Sequence, residues 1–149
     1  MAIARGAGTE ILRSIHLEDV DSTNRAMIFG VQHHIYTVLS IVAHCNVVGT
    51  GTTATLKMYV RGWDAVAAEQ DDIYIFKQSM SVLNTFVWND KFSFNGYQPT
   101  GVSNTLDTAT EQTAIAAQGG GTAQWLRCAT DHASDNIDIV ITYIDQNNA

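Results

Sequence analysis

Residues 136–145 read NIDIVITYID, with a large apolar residue at every second position. These positions are Ile137, Ile139, Ile141 and Tyr143. Side chains alternate between the two faces of a β-strand, so this stretch predicts a strand with one buried face. Residues 54–61 show the same alternation, with Leu56, Met58 and Val60 predicted to point inward. Both stretches favour antiparallel sheet that is covered on one side.

Most of the remaining chain consists of short β-branched and aromatic runs separated by Gly, Asn, Asp and Ser, which predicts strands joined by turns. The longest run covers residues 31–48. Its odd positions are predicted to face the core: Ile35, Leu39, Ile41, Ala43, Cys45 and Val47. Its other face is predicted to be buried against further copies of the chain, through Tyr36, Val38, Val42 and Val48. About seven or eight strands indicate an all-β fold, a jelly-roll-like antiparallel β-sandwich with an extended N-terminal arm.

Three turn-like segments are predicted to close β-hairpins: residues 49–53, 89–91 and 131–135. The last would join strands at 123–130 and 136–145. One short helix is predicted over residues 107–118, with Asp107 as its cap and Gly119 as its terminator.

The first 24 residues are rich in small residues and fit neither the strand nor the helix period well, although a helix over 9–17 stays open. We therefore divide the chain into an arm, residues 1–24, and a β-sandwich domain, residues 25–149. The arm is expected to be mobile alone, dispensable for folding and ordered on a partner. Its candidate contact residues are Ile3, Arg5, Ile11, Leu12, Arg13 and Ile15.

Charge is sparse and acidic, since 15% of the 149 residues are charged and the net charge is -7. A protein that holds nucleic acid by its phosphates needs a basic patch, so direct nucleic-acid binding is disfavoured. The sequence shows neither a long uncharged apolar run nor the apolar core of a signal peptide, so we expect no membrane contact and synthesis in the cytoplasm. Cys45 and Cys128 lie in apolar runs and are expected to be reduced core thiols.

No pattern of residues indicates catalysis or a metal site. His33 and His34 are adjacent and would point to opposite faces of a strand, so they cannot easily share an ion. Ser134 follows Asp131 and His132, but groups this close in a turn do not make a catalytic triad by sequence alone. A second acidic group is interpreted as solvated loop: Asp64, Glu69, Asp71 and Asp72. We expect no enzyme activity, no catalytic residue, no metal and no cofactor.

Aromatic residues beside polar loops leave carbohydrate binding open. Trp63, Trp88 and Tyr97 could stack on sugars. Aromatic side chains in such positions more often fill the end of a sandwich than bind a sugar. A carbohydrate-binding module is therefore kept only as an alternative.

Four stretches carry a resemblance to a known class of protein: the arm at residues 1–8, the apolar strand at 34–42, the aromatic piece at 86–94 and the alternating end at 136–145. Together they resemble small head proteins of tailed bacteriophages, the decoration or cement proteins that stud a capsid lattice. The resemblance implies a virion structural protein, made in the host cytoplasm, that binds the outside of the capsid. It also implies contact with the major capsid protein across subunit junctions and symmetric oligomers, of which we prefer a homotrimer.

In this setting the candidate arm residues would be the ones that contact the capsid. A tail, neck or fibre component of the same virion is the alternative within the resemblance.

Overall fold

Two antiparallel sheets packed face to face form the computed structural model, which describes residues 8–64, 66–98, 107–118 and 121–148. Sheet A contains β1 (Glu10–Val20), β3 (His34–Val47), β6 (Thr85–Trp88), β7 (Phe92–Asn95) and β11 (Asn136–Asn147). Sheet B contains β2 (Arg25–Phe29), β4 (Ala54–Asp64), β5 (Glu69–Met80) and β10 (Trp125–Ala129). Between β7 and β10 the chain forms β8 (Tyr97–Gln98), α1 (Ala109–Ala117) and β9 (Thr122–Ala123).

The strand order in the two sheets is that of a jelly roll. Sheet A runs β1-β11-β3-β6, with β7 also paired to β3, and sheet B runs β2-β10-β4-β5. Most consecutive strands therefore lie in opposite sheets, as in other double-sheet jelly rolls. The predicted all-β, jelly-roll-like antiparallel sandwich is confirmed.

The three predicted hairpins are wrong. Segment 49–53 leads from β3 in sheet A to β4 in sheet B, and segment 131–135 leads from β10 in sheet B to β11 in sheet A. Segment 89–91 joins β6 to β7, but both strands pair with β3 and not with each other. A turn signal predicts that the chain bends, but it does not say which sheet receives the next strand.

β11 lies inside sheet A, between β1 and β3, and supplies much of the core. Its alternation is as predicted, because these side chains are almost completely buried: Ile137, Ile139, Ile141 and Tyr143. Leu56, Met58 and Leu126 of sheet B belong to the same buried cluster. Each fully buried aliphatic side chain contributes roughly 1.5–3 kcal/mol, so this layer is the main stabilising contact between the sheets.

A β-bulge at Leu39 changes which residues of β3 face inward. Thr142 pairs with Ser40 and Tyr143 pairs with Val38, which leaves Leu39 without an opposite residue. One extra residue shifts the alternation, so the buried positions are even before the bulge and odd after it. They are Tyr36, Val38, Ile41, Ala43 and Cys45.

The bulge overturns part of the predicted pattern of β3. Ile35 and Leu39 are only partly buried, contrary to the odd-position core predicted from the sequence. Val47 is exposed for a separate reason, since a second register shift leaves Asn46 without an opposite residue. Tyr36 and Val38 belong to the core and not to an outer face.

α1 is close to its predicted position but has a different cap. Thr108, rather than Asp107, is the N-cap, and it forms a capping box with Glu111. The helix ends at Gln118 in the left-handed conformation, while the predicted terminator Gly119 lies outside the described residues. The Gln118 side chain accepts a hydrogen bond from the backbone N–H of His33 at 2.6 Å, which ties the helix end to the β2–β3 turn.

Both cysteines are free and buried, as the sequence predicts. Cys45 lies in sheet A and Cys128 in sheet B. Burial raises the pKa of the Cys128 thiol to about 12, so this side chain behaves as a small apolar core residue.

The predicted boundary between arm and sandwich is wrong. Residues 10–17 pair residue by residue with β11, so the sheet already includes most of the segment assigned to the arm, and the helix considered over 9–17 is a strand. Ile15 and Leu17 pack against the core. The alternation is weak in the sequence because an edge strand at the rim of the sandwich buries few side chains.

Candidate functional site

The six candidate arm residues fall into three groups. Ile3 and Arg5 lie outside the described residues. Leu12 pairs with Ile144 and points outward, with 67% of its surface exposed. Arg13 and Ile15 pair with Tyr143 and Ile141 and lie on the inner side of β1, while Ile11 opposes Asp145 near the end of the sheet and is exposed. The structure therefore builds the four described candidates, Ile11, Leu12, Arg13 and Ile15, into β1.

A buried carboxylate fixes β1 to its neighbours. Asp145 of β11, whose side chain is 4% exposed, lies 3.5 Å from a guanidinium nitrogen of Arg13. The other carboxylate oxygen of Asp145 lies 2.7 Å from Nδ1 of His34, at the start of β3. Because a buried charge is tolerated when it is paired and hydrogen-bonded, this cluster joins three adjacent strands at one point.

Next to this cluster, a cavity of about 340 Å³ opens between β1 of sheet A and β2 of sheet B. Its polar lining includes Arg13, His34, Tyr36 and Asp145. The Tyr36 hydroxyl donates to the carbonyl of Phe29 at 3.3 Å and accepts from the N–H of Val31 at 3.2 Å. Burial, reinforced by the charge of Asp145, raises the pKa of Tyr36 to about 12, so this hydroxyl stays neutral and structural.

β1 is the edge strand of sheet A on this side. β11 pairs with one of its edges, and no strand of the described part of the chain pairs with the other. The outer edge of an 11-residue strand therefore presents free backbone donors and acceptors, which is the arrangement that accepts an added strand.

The outer face of sheet A adjoins this edge. We define it by the positions that point away from the core in three rows across the sheet: Leu12, Ile144, Thr37 and Ser93; Ser14, Thr142 and Ser40; His16, Val140, Val42 and Val87. None of these residues is Asp, Glu, Lys or Arg. The face therefore carries no permanent charge over three consecutive rows.

Within this face the exposed apolar residues include Leu12, Val87 at 55% and Val42 at 38%. Of the predicted interface residues, only Val42 is found here, since Val48 packs against the core. The sequence missed Leu12, Val87, Val140 and Ile144 as members of one surface. They come from three strands, and only the register brings them together.

Charged side chains lie at the edge of this face and on sheet B. Asp138 closes the face at one end and accepts hydrogen bonds from Asn46 at 2.9 Å and from the N–H of Asp19 at 3.2 Å. On sheet B, Arg61 donates to Asp72 at 2.8 Å, and this hydrogen bond raises the pKa of Arg61.

The residues considered for catalysis do not converge. Asp131 forms an ion pair with Lys57, and Nδ1 of His132 accepts a hydrogen bond from the backbone N–H of Ser134. In the described part of the chain, no group of three His, Cys, Asp or Glu side chains could hold a metal ion. No described helix is long and apolar enough to cross a membrane.

The three aromatic residues considered for sugar stacking have different surroundings. Trp88 stacks on Phe76 at 5.3 Å and packs against the core, so it fills the layer between the sheets. Tyr97 lies in the β8–β9 ribbon. Trp63, near the end of β4, lines a second cavity.

Comparisons with known proteins give little beyond the fold. No protein-family model and no curated protein matches the chain. One similar solved structure is that of Bacillus endospore appendages, described as a family of disulfide-linked pili, with 10% identity, a TM-score of 0.44 and coverage of 100% of this chain and 97% of that chain. Another contains the CBM22-1 and GH10 modules of Clostridium thermocellum xylanase 10B with xylohexaose, with 14% identity, a TM-score of 0.44 and coverage of 94% of this chain and 25% of that chain. Neither likeness bears on function at these TM-scores.

Proposed function

We propose that this protein is a virion structural protein that binds the outside of a bacteriophage capsid and stabilises the lattice across subunit junctions. The observation that carries the proposal is the uncharged outer face of sheet A, which is continuous with the open edge of β1.

The outer face suits burial because its desolvation costs little. Three of its hydroxyl groups already have partners, since Thr37 and Ser93 hydrogen-bond each other at 2.9 Å and Ser14 donates to the carbonyl of Ile141. Its exposed apolar residues, including Leu12 and Val87, would each contribute up to roughly 1.5–3 kcal/mol on full burial. A partner surface can therefore cover this face without burying an unpaired charge.

The open edge of β1 adds directional contacts to this apolar surface. A segment of a capsid subunit that pairs with β1 would continue sheet A and fix the register of the two proteins. The Arg13–Asp145–His34 cluster holds β1 rigidly for this purpose, so little conformational entropy is lost when the partner binds.

On a capsid lattice, a small contact area between each copy and the capsid is sufficient for stable binding. Several copies that also contact one another bind as one multivalent unit, and each further contact forms at a high effective concentration. A symmetric oligomer, with a trimer preferred, places the same surface over equivalent subunit junctions. A tail, neck or fibre position would use the same two features, and a map of the particle distinguishes these locations.

The test uses capsids assembled from the major capsid protein of the same genome without this protein. We expect the natural protein to co-sediment with them, and V87K to bind at least about tenfold more weakly, because it places a charge inside the contact. The matched control is V66K, since Val66 is 90% exposed in the turn after β4 and lies off the outer face. Binding of V87K at full strength, or equal losses in V87K and V66K, would exclude this surface.

A further inference from the structure

A second cavity, of about 360 Å³, lies at the far end of β4 and β5, away from the outer face of sheet A. Its volume falls in the range of small-ligand clefts. It is lined by Val60, Gly62, Trp63, Asp64, Asp71, Ile73, Gln98 and Gln124. The surface proposed to bind the capsid shares none of these residues.

Two glutamine side chains are held in place over the floor of this cavity. The Gln98 amide donates to the carbonyl of Trp63 and accepts from its backbone N–H at 2.7 Å, so it pairs with β4 as a short strand would. The Gln124 amide nitrogen donates to the carbonyl of Asn95 at 3.0 Å. This bond fixes the orientation of the amide and leaves Oε1 as a positioned acceptor.

Gly62 provides the room for these amides. A Cβ atom at this position would lie 2.6 Å from Oε1 of Gln98 and 3.2 Å from Oε1 of Gln124. The amide oxygens therefore occupy the space that a side chain would fill, and the floor of the cavity is backbone.

The two carboxylates, Asp64 and Asp71, and the amide oxygen of Gln124 make the polar lining rich in acceptors. The Asp71 side chain has no hydrogen bond or ion pair with any described residue, and among those residues the Asp64 side chain accepts only from the N–H groups of Val66 and Ala67. The nearby Arg61 is already paired with Asp72. No Lys or Arg among the described residues lines the cavity, so it would repel an anionic ligand.

The apolar lining is placed beside these acceptors. Val60 and Ile73 are opposite each other on β4 and β5, and Trp63 adds an aromatic residue. A ligand that fits has several hydroxyl donors, an apolar face and no negative charge. We propose that this cavity binds a neutral saccharide, with its hydroxyls donating to Asp64, Asp71 and Gln124.

The test measures binding of short neutral oligosaccharides to the full chain, using cello-, xylo-, manno-, malto- and chito-oligosaccharides. Tryptophan fluorescence and calorimetry report saturation. We expect at least one of them to bind, and D71A to weaken its binding about tenfold or more because a charge-assisted hydrogen bond is lost. D90A is the matched control, because Asp90 is an exposed carboxylate in the β6–β7 turn.

Sialyllactose and 1,5-diaminopentane test the charge and chemistry of the ligand. We expect sialyllactose not to bind, since its carboxylate would face Asp64 and Asp71. The proposal is overturned if no neutral oligosaccharide binds up to millimolar concentration, if D71A and D90A bind alike, or if only the diamine saturates the site. Val87 lies outside this cavity, so V87K should bind oligosaccharides like the natural protein even when it no longer binds the capsid. A failure of saccharide binding is therefore distinguishable from a failure of capsid binding.

Discussion

At the scale of single residues, the ion pair between Lys57 and Asp131 makes stability depend on pH. The two groups lie 2.5 Å apart and join β4 to the β10–β11 connection. The hydrogen bond from Lys57 lowers the pKa of Asp131 below its ordinary 3.8, and the same bond raises the pKa of Lys57 above 10.5. The ion pair therefore stabilises the fold fully at pH values between the ordinary pKa values of 3.8 for Asp131 and 10.5 for Lys57. It is lost as pH falls through the lowered pKa of Asp131, or rises through the raised pKa of Lys57.

We predict that D131N lowers the free energy of unfolding at neutral pH by at most about 1 kcal/mol, because Asp131 is half-exposed and solvent screens the pair. The difference from the natural protein should vanish below the folded pKa of Asp131, where both proteins lack the charge. Urea unfolding at neutral pH and at about pH 2 measures this. D90N is the control, and an equal loss for D131N at both pH values would contradict the assignment.

At the scale of elements, the bulge in β3 sets the inward face for half of the strand. We predict that deletion of Leu39 is tolerated, because it removes the unpaired residue and leaves Val38 and Ser40 opposite Tyr143 and Thr142, with Ile41 still facing inward. L39A keeps the bulge and should fold with a modest loss, since Leu39 is only partly buried. Circular dichroism and thermal unfolding compare the two variants, and a deletion variant that does not fold cooperatively would show that the extra residue is needed for the register.

β1 leads to a second prediction at this scale, which reverses the expectation that residues 1–24 are dispensable for folding. Deletion of residues 2–15 should lower the free energy of unfolding by about 3 kcal/mol or more, because it uncovers one side of β11 and leaves Asp145 without Arg13. Thermal unfolding is the measurement. Deletion of residues 2–7 leaves all of β1 in place and is the control, and equal transition temperatures for the two deletions would show that β1 adds nothing.

The elements also show what the sequence could predict. The alternation from Ile137 to Tyr143 is local information, so strand and buried face follow from it directly. Pairing is not local: Val87 reaches Val42 only through the β3–β6 register, and Val140 reaches it only through β11. From the sequence, the outer face was therefore visible only through Leu12 and Val42, which were assigned to two different contacts. Of the residues that line the second cavity, Trp63 was considered for sugar stacking, while Asp64 and Asp71 were interpreted as solvated loop.

At the scale of the whole molecule, the low charge of the chain predicts self-association. We expect light scattering to show an oligomer, with a homotrimer preferred. V42K and V87K should leave its mass unchanged, because both residues lie on the surface proposed to bind the capsid and not between copies. A natural protein that stays monomeric in solution, and whose copies on a particle do not touch, would exclude an interface between copies.

The place of β11 in sheet A has a consequence for synthesis. Translation makes β1 and β3 long before β11, yet neither pairs with the other, and both need β11 between them. The backbone edges of β1 and β3 that face β11 therefore stay unpaired until residues 136–147 have left the ribosome, so the nascent chain remains open to chaperones and to aggregation. A message truncated before codon 136 would yield an insoluble product and not a smaller domain.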